Sequence, residues 1–88
     1  MIVTVTQRDI SNARRALDLH NFMRSRDCPV ARAIRRATKR RNLEVGSSTV
    51  YVGGGKRARL PAKAQDFIRQ FDAISGGAPF SFRMRRIP

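Results

Sequence analysis

Two side chains in this sequence could act as a nucleophile and a general base. Cys28 and His20 are each the only residue of their type in the 88-residue chain. Cys28 precedes Pro29, a residue typical of the first position of a helix, and a thiol at a helix N-terminus beside arginines can have a depressed pKa. His20 falls on the apolar half of a predicted helix, and no partner nucleophile or carboxylate can be assigned to it. We therefore expect Cys28 to be a helix cap or a small buried group, and His20 to be a packed residue at the edge of the core.

Other patterns that carry catalytic or metal chemistry are incomplete. The segment GGGKR has Val50 where a phosphate-binding loop requires its first glycine, and Arg57 where it requires Ser or Thr. None of the 6 acidic residues lies three or four positions from another, the spacing that pairs carboxylates on a helix. A single cysteine excludes an internal disulfide and a multi-cysteine zinc site. The sequence therefore predicts no catalytic, cofactor or metal site, and a protein that is not an enzyme.

Positive charge is the strongest chemical signal in the chain. There are 19 Lys+Arg against 6 Asp+Glu, a formal net charge of +13. Most of these cations are arginines, whose planar guanidinium suits phosphate and carboxylate groups. A compact chain tolerates this self-repulsion best when it meets an anionic partner. A GC-rich genome, whose codons favour arginine, explains the arginine content equally well, so composition alone leaves both explanations open.

The cations concentrate in three segments that we predict to bind a partner. Separate elements of the same sign indicate a broad positive surface, which would bind phosphate backbone or an acidic protein surface. A helix face that only contacts water is the alternative for the first segment. Tyr51 alone remains as a stacking platform, because the core claims four of the phenylalanines, so binding by base stacking is weakly supported. The predicted partner-binding residues are Arg32, Arg35, Arg36, Lys39, Arg40 and Arg41 in CPVARAIRRATKRR, Lys56, Arg57 and Arg59 in a hairpin, and Arg83 and Arg85 near the end, where Arg86 belongs to the same basic group.

The periodicity of apolar residues predicts the elements of the first half. IVTVT alternates, so Val3 and Val5 should share one face of a strand. A helix capped by Asp9 follows, with an apolar half made of Ile10, Ala13, Ala16, Leu17, His20 and Met23.

A second helix is predicted to begin at Pro29 and to carry the first basic segment. Its apolar residues Val30, Ala33, Ile34 and Ala37 repeat at i, i+3, i+4 and i+7, the spacing of one helix face. The cations lie on the opposite side, so we expect reversal of Arg32 and Arg36 to glutamate to leave the core packing unchanged.

The second half predicts a hairpin, a helix and a strand. Residues 43–60 contain two or three short strands, with a turn at Gly53–Gly55. Pro61 opens a helix with an apolar stripe, which Gly76 and Gly77 end. The stripe consists of Ala64, Phe67, Ile68, Phe71 and Ile74, and the final strand alternates Phe80, Phe82 and Met84 with Ser81, Arg83 and Arg85.

These elements predict one α+β domain over residues 1–88. The order is β-α-α-β-β-α-β, with helices packed on one face of a small, mainly antiparallel sheet. No apolar stretch approaches the ~20 residues that span a bilayer, and the N-terminus lacks the pattern of a signal peptide. With its single cysteine, the chain is expected to be a monomer in the reducing cytoplasm of a bacterial host cell.

Three pieces of the chain resemble small, mostly uncharacterised proteins of phages and prophages. They are IVTVTQRDI, CPVARAI and VYVGGGKRARLPAKAQDFIRQFDAISGGAPFSF, and together they cover most of the sequence. That group has a CPVALAI-like helix start, RLP before a helix with FI..FD, and a PFSF-like finish. Arg32 stands where its pattern has an apolar residue, and residues 11–26 form a longer charged helix than its usual loop. The resemblance implies a phage or mobile-element origin and a compact α+β fold, without an activity to transfer.

Charge and resemblance together lead us to expect a phage-derived binding protein. Small phage proteins of this kind often inhibit host defence stoichiometrically, anti-CRISPR proteins among them. We expect this chain to block a host nucleoprotein complex by occupying an acidic or nucleic-acid-contacting surface. The alternative is an accessory or regulatory protein that binds DNA or RNA directly.

Overall fold

The computed structural model describes residues 1–74 and 76–86, and their elements follow nearly the expected order. The α+β class is confirmed, and the short helix α2 and a third central strand, β4, are added to the predicted order. The elements are β1 (Ile2–Val5), α1 (Gln7–Asp18), α2 (Arg24–Asp27), α3 (Pro29–Thr38), β2 (Leu43–Val45), β3 (Thr49–Val52), β4 (Arg57–Arg59), α4 (Ala62–Ile74) and β5 (Phe80–Arg83).

The five strands form two antiparallel sheets, where a single sheet was expected. One sheet pairs β1 with β5, and the other has the order β2-β3-β4. The division follows from chain connectivity. Strands β2, β3 and β4 pair consecutively through short turns, whereas α4 separates β5 from β4 and carries it to the N-terminal strand. The pairing of β1 with β5 continues beyond the strands, where the Met84 N–H donates to the Met1 carbonyl (2.9 Å).

Both sheets and the three longer helices contribute to one hydrophobic core. The predicted strand faces are confirmed, because Val3, Val5 and Phe82 are buried. The stripe of α4 is confirmed through Phe71, but Ile74 at its end is 68% exposed. On α3, Ala37 is exposed and Ala31 is buried instead. The other buried residues of this core include Ile10, Ala13, Val30, Ala33, Ile34, Leu43, Val45, Val50, Val52, Leu60, Ala64, Phe67, Ile68 and Met84.

Helix α1 ends earlier than its apolar periodicity predicted. The Asn21 N–H donates to the Ala16 carbonyl (2.8 Å) and the His20 N–H to the Leu17 carbonyl (3.0 Å), which is the hydrogen-bond pattern of a Schellman motif. His20 occupies the left-handed position of that motif, at φ 54°. The prediction of a packed His20 is therefore wrong, since the side chain is exposed beyond the helix end, and Met23 is 56% exposed.

Gly77, in the connection between α4 and β5, lies close to the Phe67 ring of α4. Its φ is +137°, and a Cβ there would lie 2.6 Å from Cε2 of Phe67. We expect Gly77→Ala to lower the free energy of unfolding by about 2 kcal/mol or more, because both the backbone conformation and the contact are strained. The control is Gly53→Ala, whose Cβ meets nothing within 4 Å, and which should change stability by less than about 1 kcal/mol. Thermal denaturation of both variants measures the difference, and equal midpoints would contradict the packing of α4 on β5.

Candidate anion-binding groove

Two of the three predicted cation groups converge on one groove. Arg57 and Arg59 of β4 line it together with Arg83 of β5 and with Arg85 and Arg86 beyond β5. The volume of the groove is about 900 Å³. We call this set of five residues the groove arginines. Their segments are more than 20 positions apart in sequence, so only the fold brings them together.

The alternation of the two strands explains why these arginines stay on the surface. On β5 and the residue after it, Phe82 and Met84 are buried while Arg83 and Arg85 are exposed. On β4, Ala58 is partly buried and both of its arginine neighbours are exposed. Successive side chains of a strand point to opposite faces, so burial of the apolar set directs the cations outward.

The start of α4 completes the groove. Pro61, Ala62 and Gln65 line it beside the arginines. The Gln65 side-chain amide donates to the Leu60 carbonyl at 2.7 Å, which ties the end of β4 to the first turns of α4. Gln65 was not predicted as a site residue, because a glutamine on a helix carries no sequence signal for a groove that forms only in the fold.

The groove has a positive charge with no internal compensation. In the part of the chain that the structure describes, no acidic residue lines it and none of its five arginines forms an ion pair. Like charges that line a concave surface concentrate the electrostatic field there and attract anions. Lys56 was predicted with this group; it is exposed in the turn before β4 and does not line the groove.

The third cation group, on α3, is partly used inside the molecule. Arg36 donates from Nη1 and Nη2 to the two carboxylate oxygens of Asp9 (2.7 and 2.9 Å), and from Nη2 also to the Thr4 carbonyl (2.8 Å). Asp9 is 4% exposed. The expectation that Arg36 only faces outward is therefore wrong: its guanidinium compensates a buried carboxylate.

Asp9 was predicted as the cap of α1, and its role differs slightly. Thr6 is the N-cap; its hydroxyl accepts from the Asp9 N–H (3.2 Å), and the Asp9 carboxylate accepts from the Thr6 N–H (2.9 Å), a reciprocal capping box. Burial raises the pKa of Asp9, but the hydrogen bonds from Arg36 and Thr6 and the charge of Arg36 outweigh it and hold this pKa below the ordinary value of 3.8. The hydrogen bond to the Asp9 carboxylate raises the pKa of Arg36.

The remaining α3 cations have different environments. Arg32 donates to the Asp27 backbone carbonyl (2.9 Å) and pairs with its carboxylate at 3.5 Å. Arg35 is half-buried, and its Nη1 is shielded from solvent without a hydrogen-bond partner within the described residues. Burial and the neighbouring charge of Arg32 lower the pKa of Arg35. Lys39, Arg40 and Arg41 are exposed at and beyond the end of the helix. Only these last three continue the outward basic surface that was predicted for this segment.

The structure places the two candidate reactive residues apart from the groove. Cys28 is buried as the N-cap of α3, where its Sγ accepts from the Ala31 N–H at 3.4 Å. Burial raises the pKa of its thiol, which is the opposite of nucleophile activation. The prediction of a buried cap is confirmed. Within residues 1–74 and 76–86, no group of three or more His, Cys, Asp or Glu side chains could hold a metal ion, and none of the helices is suited by length and apolarity to cross a membrane.

Comparison with known proteins adds no relative. No family model matches the chain, and no curated protein or solved structure is significantly similar to it. The groove and its chemistry are therefore interpreted from the residues of this chain.

Charge reversal separates the structural cations of α3 from its exposed ones. We expect Arg36→Glu to lower the free energy of unfolding by about 1 to 3 kcal/mol, because it leaves the Asp9 carboxylate buried without its guanidinium. The control Arg41→Glu makes the same change of charge at an exposed position, and should shift stability by less than about 0.5 kcal/mol. Urea denaturation of both variants measures the difference. Equal stability of the two would contradict a structural role for Arg36.

The lowered pKa of Asp9 predicts a pH dependence of stability. A carboxyl whose pKa is depressed by folding stabilises the protein above its unfolded pKa, and this contribution is lost as pH falls through the folded-state value. The stability difference between wild type and Asp9→Asn should therefore be full at neutral pH and shrink as pH falls below the ordinary value of 3.8. Thermal melts from pH 7 to pH 2 test this, and a difference that stays constant would contradict the ion pair.

Proposed function

We propose that this protein is a non-enzymatic inhibitor that binds an anionic surface of a host nucleoprotein complex through the groove arginines. The observation that carries the proposal is the convergence on one groove of five arginines, from β4, β5 and the residues after β5, that form no ion pair within the described residues. An inhibitor of this kind, anti-CRISPR-like in its action, works stoichiometrically by occupying a surface that the complex needs.

The distribution of acidic residues supports an external anionic partner. Four of the acidic residues, Asp9, Asp27, Asp66 and Asp72, form ion pairs with arginines outside the groove. Within the described residues, none of these acids pairs with a groove arginine. Arginines placed in this way bind carboxylates or phosphates with two parallel hydrogen bonds, which gives orientation as well as attraction.

The exposed cations after α3 supply a second contact region in this proposal. Lys39, Arg40 and Arg41 are exposed outside the groove, while Arg32 and Arg36 bind groups of the protein itself. The groove arginines are therefore the principal binding residues in this proposal. The basic face of α3 contributes less to binding than its number of positive charges suggests.

The resemblance to small phage and prophage proteins supports the inhibitor setting. A stoichiometric inhibitor needs a stable surface and no reaction centre, which agrees with a Cys28 that caps a helix and a His20 that only faces solvent. In this proposal the protein acts in the cytoplasm of the bacterial host, where the target complex resides.

Direct binding of nucleic acid is a second candidate, and the position of Tyr51 favours it. Tyr51 is 48% exposed and lies directly opposite Arg57 in the β3–β4 ladder. Directly paired residues of neighbouring strands project from the same face. An exposed ring beside a guanidinium can stack a base while the cation binds a phosphate.

Reversal of two groove charges tests the proposed function. Arg57→Glu, Arg85→Glu should abolish inhibition in a cellular interference assay, because two attractive charges become repulsive towards the anionic partner. Both side chains are exposed, so the free energy of unfolding should change by less than about 1 kcal/mol. The control Arg8→Glu, Arg15→Glu has the same change of net charge on exposed positions of α1 and should retain inhibition.

Two outcomes of this experiment would overturn the proposal. Full inhibition by the folded groove variant would show that the groove is not needed for inhibition. Equal loss of inhibition in the control would show that only the net charge matters.

The salt dependence of binding distinguishes the second candidate from the first. If all five groove arginines neutralise duplex phosphates, log K should fall against log salt with a slope near roughly −4.5, whereas capture of a protein partner after nuclease treatment should persist with a shallower slope.

A further inference from the structure

The groove is bordered on one side by an unpaired strand edge of β4. The Val52 N–H donates to the Lys56 carbonyl (2.9 Å) and the Leu60 N–H to the Ser48 carbonyl (2.8 Å). Hydrogen-bonded and non-hydrogen-bonded pairs alternate in an antiparallel ladder. Lys56, Ala58 and Leu60 therefore bond to β3, and the backbone N–H and C=O groups of Arg57 and Arg59 point to the opposite edge.

Strand β5 presents a second unpaired edge to the same groove. The Met84 N–H donates to the Met1 carbonyl (2.9 Å), and the Met1 amino group donates to the Met84 carbonyl (3.0 Å), so this is a hydrogen-bonded pair of the β1–β5 ladder. By the same alternation, Phe82 bonds to β1 and Arg83 directs its N–H and C=O away from it. Within the described residues, these outward groups of β4 and β5 form no hydrogen bond.

The other outer edges of the two sheets lie against helices. On β1, the outward carbonyl of Thr4 accepts from Arg36 of α3 (2.8 Å). Strand β2 packs against α2, where the Ser25 hydroxyl donates to the Glu44 carboxylate (2.9 Å). Natural proteins protect strand edges because an open edge recruits another strand. On the edges that border the groove, the outward backbone groups of Arg57, Arg59 and Arg83 have no hydrogen-bond partner within the described residues.

We propose that the groove binds an extended, acidic peptide segment of the partner protein as an additional strand on β4, with β5 on its other side. The proposal deepens the proposed function, on which its anionic partner rests. The inserted segment would join the two sheets into one. A strand that rises about 3.3 Å per residue, with spacings of about 4.8 Å and about 10 Å to its neighbours, fills about 160 Å³ per residue. The groove of about 900 Å³ therefore holds about five or six residues.

The side chains of the groove define the pattern of the segment. Arg57, Arg59 and Arg83 are exposed, whereas Ala58 and Met84 lie on the core side of their strands. Successive residues of an inserted strand alternate between these two faces, so carboxylates at every second position meet the arginines and small apolar residues meet the other face. A peptide backbone supplies the alternating donors and acceptors that the open edges require, and a nucleic acid backbone has no such donors.

A peptide probe tests strand addition. The probe is a blocked, fluorescent six-residue peptide that alternates glutamate and valine, and its control has the same sequence with alternate backbone amides N-methylated. We expect the control to bind at least about tenfold more weakly, because it loses hydrogen bonds without a change of charge. Equal binding of the two peptides by fluorescence polarisation would overturn strand addition.

Amide hydrogen exchange of the protein gives an independent readout. Binding of the probe should slow exchange at the Arg57, Arg59 and Arg83 amides at least about tenfold, since these groups gain hydrogen bonds. The Ala58 and Phe82 amides already bond within their sheets and should change little. Unaltered exchange at the three arginine amides in the presence of saturating probe would overturn the proposal.

Two further arms separate this inference from its alternatives. A single-stranded oligonucleotide of equal charge should neither displace the probe at equal concentration nor protect the three amides, and an oligonucleotide that displaces it would replace the peptide by nucleic acid as the ligand. Loss of probe binding in Arg57→Glu, Arg85→Glu, with retention in Arg8→Glu, Arg15→Glu, places the probe in the groove. If the peptide fails while the groove variant still loses inhibition, strand addition is wrong and the proposed function stands.

Discussion

The buried carboxylate of Asp9 is the interaction on which the arrangement of the N-terminal half depends. A charge removed from water without a partner destabilises a fold strongly, so the site requires both Arg36 and the capping bonds of Thr6. Because the same guanidinium also binds the Thr4 carbonyl, one ion pair caps α1, fixes α3 beside it and closes the outer edge of β1. A basic helix that looks like a binding surface in sequence is thereby committed in part to the interior.

The position of α3 against β1 bears on which strand edges border the groove. With α3 against β1 and α2 against β2, the edges of β4 and β5 are the ones that border the groove. The helix α4 separates these strands in sequence, and its first turns line the gap between them. The groove forms because the two small sheets pack on one core but are not hydrogen-bonded to each other. The open backbone groups and the arginines border the same space.

Charge follows the same division between interior and groove. The ion pairs of the described chain join arginines outside the groove to Asp9, Asp27, Asp66 and Asp72, and one of them, Arg69–Asp66, is largely exposed and contributes little to stability. The groove arginines receive none of this compensation. Their mutual repulsion is tolerated because they are exposed to water, and in the proposed complex the carboxylates or phosphates of the partner would relieve it.

Features that depend on neighbours along the chain could be predicted from the sequence: the α+β class, the strand faces of Val3 and Phe82, the start of α3 at Pro29 and the buried cap at Cys28. These follow from periodicity and local hydrogen bonds, which span a few residues. The sequence did not predict the end of α1, where a Schellman motif took precedence over an apolar period that continued to Met23. The ion pair of Arg36 with Asp9, 27 positions away, and the groove that Arg57 and Arg83 share are visible only in the folded structure. Such pairs carry no local signal, because side chains far apart in the chain meet only when the core has packed and the strand registers are set.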